Sequence, residues 1–383
     1  MRQCPDTPKG RKHVKLQRLG ILAGIALTAT VALAACGTNN NNTSPPASSG
    51  TPAAGAIQCA TGTLNAQGST AQANAIANWI KLYNQQCPGA TINYTGSGSG
   101  AGQQAFIAGQ ADFAGSDSPL AATDQPKANA HCTGGAAIHL PMVVGPIAVV
   151  YNVSGVSNLQ FKAATLAGIF NGKITTWNDP AIAADNPGVS LPATKITPVH
   201  RSDSSGTTDN FTKYLGTVAG STAWPYPHDK VWHAPGGDAE KGSDGVSKFL
   251  SSTDGAIGYV EWSFATLNNL NMAKIFNGAG EWSTLSADSA GKTIAGAQVT
   301  GTGNDLQMTI DYNTSTAGAY PIVLVTYEIV CDKGNPSGTL NLLKSFLSYT
   351  SSTAGQATLT QVGSAPLPDS VRTKVASTVS AMS

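Results

Sequence analysis

Charge is scarce in this 383-residue chain: Asp, Glu, Lys and Arg make up 11% of it, against roughly 25% in an average soluble protein. A nucleic-acid-binding surface needs a concentrated basic patch, and the composition argues against one. Histidine is scarce too, with six residues and no HxH or HxxxH spacing, and the cysteines form no CxxC. The usual signatures of a metal site are therefore missing, so no metal and no cofactor is expected. The metal route by which an exported phosphatase would hydrolyse esters goes with them. The apolar run Leu19–Leu33 is shorter than the roughly 20 residues a membrane-spanning helix needs. No internal repeat is found.

What is present begins at the N-terminus. Arg2, Lys9, Arg11, Lys12, Lys15 and Arg18 precede the apolar run, which ends in Leu33-Ala34-Ala35-Cys36-Gly37. This is the layout of an export signal. Small residues before Cys36 resemble a bacterial lipobox, in which the Cys is acylated and becomes the first mature residue; an ordinary cleaved signal is the other reading. We expect residues 1–35 to be the signal, Cys36 the lipid site and 36–56, rich in Asn, Thr, Ser and Pro, a tether with nothing to pack. The first 36 residues hold six basic side chains and one acid. Taking them from 22 basic and 21 acidic leaves 16 and 20, a net of −4. Any anion would have to be held by local dipoles and a few placed cations, since bulk charge does not attract it.

Four further cysteines, Cys59, Cys87, Cys132 and Cys331, suit two disulfides in an exported protein, with three possible connectivities. Cys59 precedes a strand and Cys87 ends the helix after it, and such a unit brings the chain back to its start. That favours Cys59–Cys87 and leaves Cys132–Cys331.

Patterning from Ile57 onward alternates strands and helices, so the fold class is α/β. Strands are expected at 62–66, 91–95, 111–115, 142–152, 196–200, 257–262 and 321–331. Helices are expected at 69–86, 103–109, 166–170, 205–215, 245–250 and 340–348. The buried run 142–152 is expected to cross between two domains.

One pattern recurs three times: a strand, then Gly, Ser and Thr, then a helix. It occurs at Gly68-Ser69-Thr70, Gly98-Ser99-Gly100 and Ser205-Gly206-Thr207. Helix N-termini present free N–H groups and partial positive charge, Gly admits an anion to the backbone, and hydroxyls add donors. Taken singly, each is an ordinary helix cap. Gly96–Gly102 also brushes the dinucleotide fingerprint, which belongs to a cytoplasmic βαβ unit rather than an exported chain. Together, at the carboxyl ends of strands, the three would cradle a small oxyanion. Arg201 ends a strand just before the third loop and offers a planar fork of donors, with Asp203 near enough to pair with it. Asp117 is the informative oddity, because a carboxylate repels an anion unless the ligand carries a proton to donate. Phosphate near neutral pH keeps one and sulfate does not, so a carboxylate there would discriminate between them. A surface cap for Asp117 and a surface ion pair for Arg201 are the bland alternatives.

These motifs resemble the PstS-type substrate-binding protein of phosphate-specific ABC transporters. The stretches Gly68–Thr70, Tyr94–Gly102, Asp112–Asp117 and Arg201–Thr207 carry the resemblance, as do Leu140–Gly145, Phe170–Pro180 and Gly258–Glu261, in order from about Leu64 to the C-terminus. The resemblance implies a two-lobed, hinged fold of the periplasmic-binding-protein type, with 57–143 plus 321–383 as one lobe and 144–320 as the other. It implies that Thr70, Ala71 (through its N–H), Ser99, Asp117, Arg201, Ser205, Gly206 and Thr207 hold phosphate, with Asp203 supporting Arg201. Many members carry a bulky apolar residue where this chain has Ala71. The implied protein is a monomer that is not an enzyme and binds no nucleic acid. It would be lipid-anchored at the outer face of the cell membrane and deliver phosphate to ABC transporter permease subunits. A receptor for another oxyanion, or an exported phosphatase, are the alternatives.

Overall fold

In a computed structural model, residues 57–383 are described. The signal-like segment, Cys36 and the tether lie outside the described residues. Eight strands carry the architecture: Gly62–Gly68 (β1), Ala90–Gly96 (β2), Phe113–Ser116 (β3), Ala137–Asn152 (β4), Thr197–Arg201 (β5), Asp238–Glu240 (β6), Ala256–Glu261 (β7) and Val323–Cys331 (β8). They form one mixed sheet in the order β2-β1-β3-β8-β4-β7-β5-β6, with Asn271–Met272 added beside β4. The chain thus has the expected α/β class. β1, β2 and β3 are mutually parallel, as are β5, β6 and β7.

The two parallel sets are joined by β4, whose 16 residues are almost all buried. Its first part, Ala137–Pro146, pairs antiparallel with β8, and its second, Ile147–Asn152, pairs antiparallel with β7. A near-continuous apolar run is what a strand covered on both faces requires. The β8–β4 ladder slips at Thr326/Tyr327. Such an irregularity re-aims the side chains beside it, and Thr326 is used in the site.

Five helices matter here: Ala73–Gln86 (α1), Ser99–Ile107 (α2), Gly206–Tyr214 (α3), Gly242–Ser252 (α4) and Ser337–Thr350 (α5). α1 buries Ile76, Trp79 and Tyr83, the spacing of one helical face. Tyr83 meets Phe346 and Tyr349 of α5, and the Trp79 indole donates to the Gly355 carbonyl at 2.8 Å. Two helix starts differ from the sequence expectation by four residues, while α4 and α5, expected from 245 and 340, each begin three residues earlier. α1 begins at Ala73 rather than Ser69, and the Ser69 hydroxyl donates to Asp117 ahead of the helix. α2 begins at Ser99 rather than Gln103, so Gly100 and Gly102 are helical. A Cβ on Gly102 would lie 2.5 Å from the Gly68 Cα. The glycine that lowers helix propensity is what lets α2 lie against β1.

Cys59–Cys87 and Cys132–Cys331 are both bonded, as the strand–helix argument favoured. Among the described residues, no helix is long and apolar enough to cross a membrane.

Candidate functional site

Asp117 follows β3 directly and is 4% exposed. Three hydroxyls donate to its carboxylate: Ser69 to Oδ1 at 2.6 Å, Thr326 to Oδ1 at 2.7 Å, and Ser99 to Oδ2 at 3.1 Å. Oδ1 therefore has two donors and Oδ2 one, which leaves Oδ2 room to accept another proton. Burial pushes the carboxyl up to about 6; the Ser69 and Thr326 hydrogen bonds oppose that, and the Glu261 charge adds to it.

Arg201, the last residue of β5, is 3% exposed. Its guanidinium grips Asp203 with two bonds, Nε to Oδ1 at 2.7 Å and Nη2 to Oδ2 at 2.5 Å. Nη1 is left with two long contacts of 3.5 Å, to the hydroxyls of Thr207 and Ser243. Burial works against the cation, but Asp203, with smaller help from Glu261 and Tyr259, offsets it and holds the Arg201 pKa above the ordinary value. Burial raises Asp203, but the Arg201 hydrogen bonds and charge, with backbone N–H groups including that of Gly242, together bring it below the ordinary value. It also accepts the Gly242 N–H at 3.0 Å, so it fixes the N-terminus of α4 and the guanidinium together. Arg201 is in this way presented as an oriented donor edge whose charge is already compensated.

Loops from the two parallel sets meet here. The Thr70 and Ser243 hydroxyls are 2.8 Å apart, and the Gly100 N–H donates to the Ser204 carbonyl at 3.0 Å. Asn210 Nδ2 donates to the Asp117 carbonyl and to the Gly206 carbonyl, each at 2.8 Å. Gly206 makes a close approach: a Cβ there would lie 2.6 Å from the Asp117 Cβ and 2.7 Å from the Ser99 Oγ. Absence of a side chain at Gly206 is what brings the α3 N-terminus up to Asp117.

Every residue named from the sequence lies in this cluster or at its edge, but not all are free. The Ser205 hydroxyl caps α3, accepting the Thr208 N–H at 3.2 Å. The Ala71 N–H donates to the Ser69 Oγ at 2.9 Å. The Thr207 hydroxyl donates to Glu261 at 2.5 Å. The sequence reading missed Ser243, Thr326, Asn210 and Glu261. Ser243 had a usable signal, since Gly242-Ser243 follows β6 and opens α4, a fourth copy of the strand, Gly/Ser, helix pattern. Among the described residues, no cluster of His, Cys, Asp and Glu has the makings of a metal site.

A tight group of hydroxyls, helix N-termini and one oriented guanidinium around a buried carboxylate is suited to a small protonated oxyanion. A family model described as a PBP superfamily domain matches residues 51–353. Phosphate-binding protein PstS 3 of Mycobacterium leprae is 45% identical over 373 residues, covering 96% of this chain and all of the relative. Phosphate-binding protein PstS 2 of Mycobacterium tuberculosis is 44% identical over 375 residues, 97% of this chain and all of the relative. Among solved structures, a periplasmic phosphate-binding protein (PfluDING) bound with phosphate is similar at a TM-score of 0.69 and 24% identity, over 82% of this chain and 93% of that one. The phosphate binding protein of Stenotrophomonas maltophilia is similar at 0.66 and 20%, over 83% and 94%. These structures share the fold. With the PstS relatives matched over their whole length, the chain belongs to the PstS family of phosphate-binding proteins, within the PBP superfamily.

Proposed function

We propose that the protein binds inorganic phosphate outside the cell and hands it to an ABC-type phosphate importer, without chemical turnover. The observation that carries this reading is Asp117: a buried carboxylate with one under-used oxygen, set among donors that otherwise suit an anion. A ligand that is an anion and also a hydrogen-bond donor satisfies both. Phosphate does so near neutral pH, and the PstS relatives bear phosphate-binding names.

Thr70, Gly206 and Arg201 are the donors at hand in this reading. The Ala71 N–H and the Ser99 and Ser205 hydroxyls complete the set by exchanging their present partners for phosphate oxygens, while Thr207, its proton held by Glu261, meets the ligand as an acceptor. The parallel sets on either side of β4 act as lobes, 57–143 with 321–383 and 144–320, and phosphate favours their approach by touching both. Two disulfides suit an oxidising exterior. The export signal, a lipid on Cys36 and the tether 36–56 would keep the receptor at the outer face of the cell membrane beside the permease subunits.

Titration calorimetry of phosphate-stripped protein tests the reading. One phosphate bound per chain, lost in Arg201→Ala, supports it. A folded, phosphate-free sample that gives no phosphate heat overturns it.

A further inference from the structure

Glu261 is the last residue of β7, at the sheet edge where Arg201 ends β5, and is 1% exposed. Its Oε1 accepts the Thr207 hydroxyl at 2.5 Å, while its Oε2 is buried without a hydrogen-bond partner. A threonine hydroxyl has one proton to give. With that proton committed to Glu261, Thr207 Oγ1 can offer only lone pairs, and Arg201 Nη1 approaches it as a donor at 3.5 Å.

The charges around Glu261 sharpen the point. Arg201 faces it from β5, and Asp203 already compensates that cation through two hydrogen bonds. Asp117 faces it from the loop after β3, and the fields of Glu261 and Asp117 reach each other. Tyr259, on β7 itself, is occupied with the Arg201 N–H and the Thr208 hydroxyl. One cation therefore stands against three carboxylates, and the buried Glu328 on β8, whose carboxyl feels the Asp117 charge, adds a fourth acidic group. A dianion entering this group would add to an uncompensated negative charge, and a buried carboxylate oxygen without a donor is costly.

We propose that Glu261 is a positioning residue of the anion site: it holds the Thr207 hydroxyl as an acceptor and, as a second carboxylate beside Asp117, makes phosphate bind together with a proton taken from solvent. The inference rests on the phosphate reading above. No covalent bond forms or breaks. The monohydrogen dianion and one proton from bulk water enter, and the two protons are held between the phosphate and Asp117. Sulfate brings neither, which deepens the discrimination already expected from Asp117.

The test is phosphate calorimetry on the whole protein at about pH 8 in buffers of different ionisation enthalpy, which counts protons taken up. Wild type should take up about one proton per phosphate. Glu261→Gln keeps the oxygen that accepts from Thr207 but cannot be charged. It should take up at most about half as many protons, and its phosphate affinity should change less with pH. Phosphate binding by wild type with no proton uptake overturns the inference alone, whether or not the variant folds. Equal uptake in a folded Glu261→Gln protein overturns it as well. Absence of phosphate binding overturns the phosphate reading and this inference with it.

Discussion

Asn210 donates to the backbone carbonyl of Asp117 at 2.8 Å and, with the same amide nitrogen, to the carbonyl of Gly206 at 2.8 Å. Its own oxygen accepts the Tyr312 hydroxyl at 2.7 Å. One buried side chain thus ties the loop that carries Asp117 to the first turn of α3. Asn210→Ala leaves the Asp117 carbonyl and the Tyr312 hydroxyl short of a partner, at about 1–3 kcal/mol each. Phosphate affinity should fall roughly ten- to a hundredfold, although Asn210 is not itself one of the proposed phosphate donors. Calorimetry on the variant, with circular dichroism to confirm folding, reads this directly; unchanged affinity would show that the tie has no part in binding.

Gly206 has an ordinary negative φ, so its requirement is one of space rather than backbone conformation. Gly206→Ala places a methyl 2.8 Å from Asp117 Oδ2, the oxygen proposed to meet the ligand. The loops on the two sides should no longer meet, with phosphate affinity reduced by at least roughly a hundredfold. Each half keeps its own packing, so the melting temperature without phosphate should change little while the rise on adding phosphate disappears.

Two buried carboxyl groups give the ligand-free protein a characteristic pH dependence. Burial pushes Asp117 from 3.8 up to about 6 and Glu328 from 4.5 up to about 8. Between each pair of values the folded state holds a proton that the unfolded state has released. Unfolding free energy therefore falls as pH rises, by about 1.4 kcal/mol per pH unit for each group within its window. Asp117 acts between 3.8 and about 6, and Glu328 between 4.5 and about 8. Asp203, Asp209 and Asp305 are lowered, so their opposite effect lies below 3.8. Urea denaturation in phosphate-free buffers should show declining stability towards about pH 8, and Glu328→Gln should flatten the stretch above about pH 6. A wild-type profile that is flat there would contradict the assignment of Glu328.

Much of this was readable from residue order alone, for identifiable reasons. The crossing strand β4 announced itself as an apolar run because both its faces are covered, and Asp117 stood out because a carboxylate is chemically wrong beside an anion unless it reads a proton. Arg201 and Asp203 are two residues apart, so their pairing needed no tertiary information. Local reasoning failed where tertiary contact decides. The helical glycines of α2 have poor propensity and are held by their packing on β1 and on Ser204. Thr326 reaches Asp117 from 209 residues away, beside a slip in the β8–β4 ladder that no pattern predicts. Ser243 escaped because β6, Asp238–Glu240, is short and charged and does not look like a strand.

The central claim is that Asp117 reads the proton on the ligand, and the measurement that tests it most directly is the ratio of phosphate to sulfate affinity in wild type and in Asp117→Asn. Asparagine can donate where aspartate only accepts, so it removes the clash with a fully deprotonated oxyanion. The account predicts that wild type prefers phosphate by a large factor and that Asp117→Asn loses at least roughly a hundredfold of that preference, partly by binding sulfate better. A folded Asp117→Asn protein with the wild-type ratio, or a wild type that binds the two anions alike, would contradict it.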